Sequence, residues 1–126
     1  MATEFTVRPL QASDYDKEQF KRKEEAGSYR TVVIEDGGRI IATAAMVIEL
    51  KFIRGCGKVG HIEDVVVDPE YRGKRLGAML IDALVDAARE AGCYKVILDC
   101  AEANVGFYTK CGLTRKEVQM VRYLDR

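Results

Sequence analysis

The residues best able to do chemistry lie close together in residues 62–80, I-E-D-V-V-V-D-P-E-Y-R-G-K-R-L-G-A-M-L. The stretch opens on two adjacent carboxylates, Glu63 and Asp64, and continues through Val65, Val66 and Val67, a strongly β-forming run. Asp68 and Pro69 end that strand, because proline has no N–H and pushes its predecessor out of the helical region. Arg72, Gly73, Lys74, Arg75 and Gly77 then lead into a helical stretch that begins near Leu76. Backbone N–H groups at the start of a helix, aided by the helix dipole, bind anions. The glycines let the main chain approach a ligand, and three cations surround the same spot. The spacing matches neither the dinucleotide fingerprint nor the Walker pattern. On residue types alone, a solvated basic connection before an ordinary amphipathic helix fits equally well.

The rest of the chain must position that stretch. Its 126 residues suit one domain, residues 1–126, able to bury a real core. Hydrophobic residues at 48% and charged residues at 32% are those of a soluble globular protein. Twenty basic residues balance twenty acidic ones, which argues against a general nucleic-acid binder. Cys56, Cys93, Cys100 and Cys111 form no C-x-x-C pair and have one histidine for company, so no metal is expected. Free thiols in a reducing, cytoplasmic setting are the simplest reading, with two disulfides or an organelle such as a peroxisome-like compartment left open. Neither a secretory leader nor an apolar run of membrane length is present, so no membrane partner is expected.

Taken in order, residues 5–10 alternate as a short strand, and Ser13 caps a very polar helix over residues 14–26 with Gly27 as its stop. Residues 29–35 form a second strand, and Asp36-Gly37-Gly38 signals a hairpin into a long strand over residues 39–52. A turn at residues 54–58 returns the chain as a strand over residues 59–67. The helix to residue 91 carries the apolar stripe Leu76, Met79, Leu80, Ala83, Leu84 and Ala87, and Gly92 closes it. Residues 94–100 read as a buried strand, residues 104–110 as a short helix capped by Asn104, and residues 115–123 as a last alternating strand. A helix between the fourth and fifth strands makes that pair parallel, while the hairpins before it are antiparallel. The fold class is α/β (α+β): a central, mixed, mostly antiparallel twisted sheet flanked by helices.

Residues 72–77 resemble the acetyl-CoA pyrophosphate loop of the GNAT superfamily of N-acetyltransferases, Arg/Gln-x-x-Gly-x-Gly/Ala, with Arg72 and Gly77 in its first and last positions. Arg75 stands where the first patterned glycine is usual, which is tolerable if its φ stays negative. Further blocks are K-F-I-R (51–54), H-I-E-D-V-V-V (61–67), C-Y-K-V-I-L-D-C (93–100), N-V-G-F-Y-T-K-C-G (104–112) and a terminal M-V-R-Y. Together they resemble the glucosamine 6-phosphate N-acetyltransferase family from about residue 7 onward. The resemblance breaks at one place. The family carries a helix and loop with a substrate-contacting threonine between the R-P-L strand and the E-Q-F helix, where only Gln11 to Lys17 lie here. Matching sequence on both sides points to an omitted flexible segment rather than a differently built site.

The resemblance implies a GNAT fold with one splayed parallel strand pair. It also implies direct acetyl transfer from acetyl-CoA to glucosamine 6-phosphate in a ternary complex, within UDP-N-acetylglucosamine biosynthesis. Arg72, Gly73, Lys74, Arg75, Leu76, Gly77 and Ala78 would hold the pyrophosphate, and Val65 and Val67 the pantetheine arm. A backbone N–H near Val66 would face the thioester oxygen. Tyr108 would hydrogen-bond or protonate the CoA sulfur; from helix position alone it reads as a core tyrosine. Asn104 and Lys110 would help hold the cofactor, Asn104 being equally a helix cap. Glu63, Asp64 and Asp99 are the sugar-side candidates, with Asp99 accepting a hydrogen bond or proton from the amine, its backbone carbonyl included. Lys51, Arg54, Lys95 and Arg122 are candidates for the 6-phosphate, with Tyr94 and Glu117 beside the sugar; each basic residue reads almost as well as surface charge. His61 is left out as structural, and Cys100 as an acyl nucleophile is set aside. A homodimer with the sugar site at its interface is implied. Two other readings stay open: a GNAT enzyme for another small amine or a protein amine, and a non-catalytic acyl-CoA-binding module.

Overall fold

The computed structural model describes residues 5–11 and 27–125. The expected Ser13 cap and the helix over residues 14–26 lie outside the described residues, as does nearly all of the short segment after Gln11. Five strands form one sheet in sequential order: β1 (Thr6–Pro9), β2 (Tyr29–Asp36), β3 (Arg39–Leu50), β4 (Lys58–Val67) and β5 (Cys93–Ile97). All neighbours are antiparallel except β4 and β5, which are parallel. Gly37 and Gly38 both have positive φ, the two-residue turn whose twist suits a hairpin between β2 and β3.

The alanines of β3 sit in a strand because packing overrides helix propensity. Ala42, Ala44, Met46 and Ile48 are buried in the core shared with α1 (Leu76–Glu90), which lies on one face of the sheet. Leu76, Leu80, Ile81, Leu84 and Ala88 are the buried residues of α1. The buried face is therefore turned slightly from the expected stripe, with Met79 and Ala87 only partly covered. Each fully buried Leu or Ile contributes roughly 1.5–3 kcal/mol.

Three sequence expectations change. The turn expected over residues 54–58 is a left-handed one at Ile53–Cys56, with φ of 56, 63 and 60° at Arg54, Gly55 and Cys56. β5 ends at Ile97, three residues before the expected Cys100. The last alternating strand does not form: residues 113–125 belong to no strand or helix. Val118, Met120, Tyr123 and Leu124 are each more than 80% exposed. Alternation specifies a strand only where an edge and a buried face await it, and a single chain provides neither here.

All four cysteines are free thiols. Among the described residues no helix is long and apolar enough to cross a membrane. The phase of α1 is directly testable. Ile81→Ala should cost about 2–5 kcal/mol in denaturant unfolding, whereas the exposed neighbour Asp82→Ala should stay within about 0.5 kcal/mol. Equal losses would mean that the helix faces the sheet differently.

Candidate active site

The connection from β4 into α1 is pinned at its beginning and open at its end. The Asp68 carboxylate accepts the Glu70 N–H at 2.9 Å and pairs with Arg39 at 3.1 Å. The Asp68 N–H donates to the Ile41 carbonyl, and the Tyr71 hydroxyl donates to Asp36 at 2.6 Å. That hydrogen bond, then burial, raises the Tyr71 phenol above its ordinary pKa. These contacts tie the connection to the tip of the β2–β3 hairpin.

Gly73 follows at φ 85°, and Arg75 stands at the N-cap of α1 with φ 61°. The negative φ expected at Arg75 is thus overturned. A left-handed arginine costs about 1–2 kcal/mol relative to an ordinary conformation, because its Cβ crowds the carbonyl. The Arg75 side chain makes no capping hydrogen bond, so the first N–H groups of α1 stay available to a ligand. Arg72, Lys74 and Arg75 are all exposed around them.

Gly77 has a second reason to be glycine. A Cβ there would lie 2.7 Å from Cζ of Phe107. The ring comes from α2 (Val105–Lys110), and it stacks edge-on against Tyr108 with centroids 4.9 Å apart. The close approach of α2 to the start of α1 therefore sets where Tyr108 stands. Tyr108 is partly buried, and burial, then the neighbouring Cys100 and Cys111, push its phenol up. It stays a neutral donor through the physiological range. The Cys111 thiol is also raised, mainly by burial and then by Asp82. Asn104 occupies the N-cap of α2 without a capping side-chain hydrogen bond, so the cap reading of its side chain is not met.

β4 and β5 part company halfway. Their register runs from Lys58↔Cys93 to His61↔Ile97 and stops there, while β4 continues to Val67. Asp64 then adopts φ 55°, where the β3–β4 register shifts between Thr43 and Ala45. Such a bulge bends a strand and re-aims its groups. The β5-facing edge of residues 63–67 is left unpaired by β5, ready for an extended ligand. Val65 and Val67 point toward the core, while Val66 is 58% exposed.

The polar candidates divide into two groups. Glu63 and Asp99 flank the fork, with His61 between them: Nδ1 lies 4.0 Å from Glu63 and Nε2 3.7 Å from Asp99. Gln119 Nε2 donates to Asp99 at 3.2 Å. From the sequence His61 reads as structural, and nothing there singles out Gln119. The available signal for His61 is its two-residue spacing from Glu63, which puts both on one strand face. The other group is set around Tyr94 and Lys95 in the paired part of β5. There Arg54 and Lys95 sit over the Tyr94 ring at 5.9 and 5.7 Å. Lys51 is already paired with Glu49 at 2.7 Å, and that hydrogen bond raises the Lys51 pKa and lowers that of Glu49. Glu117 and Arg122 lie in the exposed tail. Lys51 also feels the Tyr94 hydroxyl, so three of the basic candidates lie around one ring, while Arg122 is in the exposed tail.

The profile of the Acetyltransferase (GNAT) family matches residues 2–113. The chain belongs to the GNAT acetyltransferase family. It is 44% identical to "Glucosamine 6-phosphate N-acetyltransferase" of Arabidopsis thaliana, covering 99% of this chain and 100% of that one. With "Glucosamine 6-phosphate N-acetyltransferase 1" of Dictyostelium discoideum it shares 47% identity over 94% of this chain and 80% of the relative. The crystal structure of the Arabidopsis enzyme superposes with a TM-score of 0.88 at 41% identity, covering 97% of this chain and 99% of that one.

GNAT acetyltransferases use acetyl-CoA, and this acetyltransferase presents what that molecule needs. Free amides at the start of α1 suit its pyrophosphate, and the open edge of β4 suits its pantetheine amides. Gly77→Ala tests how α2 is held against this site. The added methyl should displace Phe107 and lower stability by about 1–3 kcal/mol, with a weaker apparent affinity for acetyl-CoA in titration calorimetry. An unchanged melting temperature and affinity would separate α2 from the loop.

Proposed function

We propose that this acetyltransferase transfers the acetyl group of acetyl-CoA to the amine of glucosamine 6-phosphate, giving N-acetylglucosamine 6-phosphate and CoA. One observation carries the reading: relatives bearing that activity in their names are 44% and 47% identical across nearly the whole chain. The transfer is direct, in a ternary complex, and serves UDP-N-acetylglucosamine synthesis. The free amides of residues 73–78 hold the pyrophosphate, with Arg72, Lys74 and Arg75 around it. Asn104 and Lys110 contact the cofactor from α2.

The unprotonated amine attacks the thioester carbon, and the Val66 N–H donates to the developing oxyanion. As the C–S bond breaks, Tyr108 gives its proton to the sulfur, and the new ammonium loses one through the Asp99 region to solvent. The raised phenol supports this role, since a general acid must still carry its proton when the thiolate leaves. Holding both substrates together supplies part of the rate, up to roughly 7–11 kcal/mol in the best-oriented reactions. Glu63, Asp64 and Asp99 receive sugar hydroxyls and the amine. Lys51, Arg54, Lys95 and Arg122 serve the 6-phosphate, with Tyr94 and Glu117 beside the sugar.

A homodimer belongs to the same reading. The apolar tail beyond Leu113, together with Phe52 at 96% and Ile53 at 66% exposure, is surface that a second copy would cover. The four free thiols suit a reducing, cytoplasmic setting.

A thiol-release assay across a panel of amines tests the substrate. Turnover of glucosamine 6-phosphate is expected, and activity on a peptide lysine without it would sink the assignment. Tyr108→Phe should lower kcat by about 10²–10⁴-fold with little change in KM for acetyl-CoA. Because burial raises the phenol, the wild-type alkaline limb should lie above the ordinary tyrosine range, and the variant should lack it. Sedimentation should give a two-chain mass for the full chain and a one-chain mass after truncation at Leu113; a monomeric full chain would remove the dimer.

A further inference from the structure

His61 stands at the fork itself. It is the last residue of β4 in register with β5, opposite Ile97. Glu63 is two residues farther along β4, and Asp99 two residues beyond Ile97 in the departing chain. Alternation turns His61 and Glu63 toward the same side of β4, and Asp99 reaches the ring from beyond the end of β5. The ring is placed between the two carboxylates, one facing each nitrogen, at 4.0 and 3.7 Å. The His61 side chain is 29% exposed against 49% for each acid, so it forms the inner member of the group. Glu49 on β3 also senses the ring but is held by Lys51. Gln119 donates to the same Asp99 oxygen, Oδ2, that faces the ring.

Two carboxylates brought to one cleft repel each other, and an imidazole set between them, within 4.0 and 3.7 Å but hydrogen-bonded to neither, keeps them apart. An exposed pair alone would be worth little; here one ring engages two acids where two strands diverge. We propose that His61 is a positioning residue for the amino-sugar side of the reaction, spanning the fork so that Glu63 and Asp99 stay aimed at the same substrate. The inference rests on the assignment of those two acids to the sugar. It makes His61 specific to one substrate, since the acetyl-CoA features begin beyond it on β4 and α1.

The test compares wild type with His61→Ala and His61→Gln. His61→Ala should raise KM for glucosamine 6-phosphate by roughly tenfold or more, with KM for acetyl-CoA within about twofold. His61→Gln keeps a polar side chain there and should recover part of the loss. A further readout needs no variant: the chain has one histidine, so its ring signals in NMR spectra belong to His61. They should shift on adding glucosamine 6-phosphate and hold still with acetyl-CoA alone. An unchanged sugar KM in His61→Ala, equal rises for both substrates, or ring signals indifferent to the sugar would each overturn the proposal. Wild type that acetylates a different amine would overturn the substrate assignment alone; the same selective rise is then expected for that amine.

Discussion

Backbone hydrogen bonding is obligatory, and this fold withholds it at one place. β4 and β5 pair in parallel for only their first residues and then separate after His61 and Ile97. An unpaired strand edge inside a cleft must find a partner in a ligand or in water. The bulge at Asp64 turns β4 as its edge becomes free, and Glu63 and Asp99 sit where the gap opens. The loop into α1 then offers further unpaired amides nearby. Much of the site is thus main chain whose hydrogen bonds are left open to a ligand, with the charged side chains set around it.

Holding such a gap open requires rigidity around it. On one side, Asp68, Tyr71, Asp36 and Arg39 fasten the start of the loop to a hairpin tip. On the other, Phe107 fills the space that Gly77 leaves and carries Tyr108 into position. Beneath, α1 packs its Leu and Ile face on the sheet. The strain at Arg75 is modest beside this support, since a well-packed surround can hold a residue in a left-handed conformation.

The tail and the basic residues follow a different logic. Arg115 pairs with Glu102 and Gln119 with Asp99, so the exposed tail is fastened near the site while its apolar side chains stay uncovered. The family profile stops at residue 113, whereas the similarity to the Arabidopsis enzyme covers 99% of the chain. The tail therefore lies within the similarity to the Arabidopsis relative and outside the family profile.

Local rules were enough for much of this. Period-two patterning in β1 to β4, the Gly37-Gly38 turn, Pro69 as a stop and the apolar stripe of α1 each depend on neighbours in the chain, and those elements formed close to where the rules put them. The acidic strand and the glycine-bearing basic turn were legible for the same reason, whereas Tyr108 was singled out only through family resemblance. What local rules do not contain is what arrives from elsewhere. The early end of β5 depends on the divergence of two strands, and the positive φ at Arg75 on how the loop must enter α1. Phe107 needs Gly77 only because α2 packs there, and His61 bridges two acids only because a parallel neighbour brings Asp99 beside it. The alternation of residues 115–123 is real, yet a strand exists only when another edge accepts its hydrogen bonds. The sequence by itself determined the elements and the chemical types at the site; only the tertiary structure decided which groups meet and which edges stay open, because hydrogen-bond pairing and burial are properties of neighbours in space.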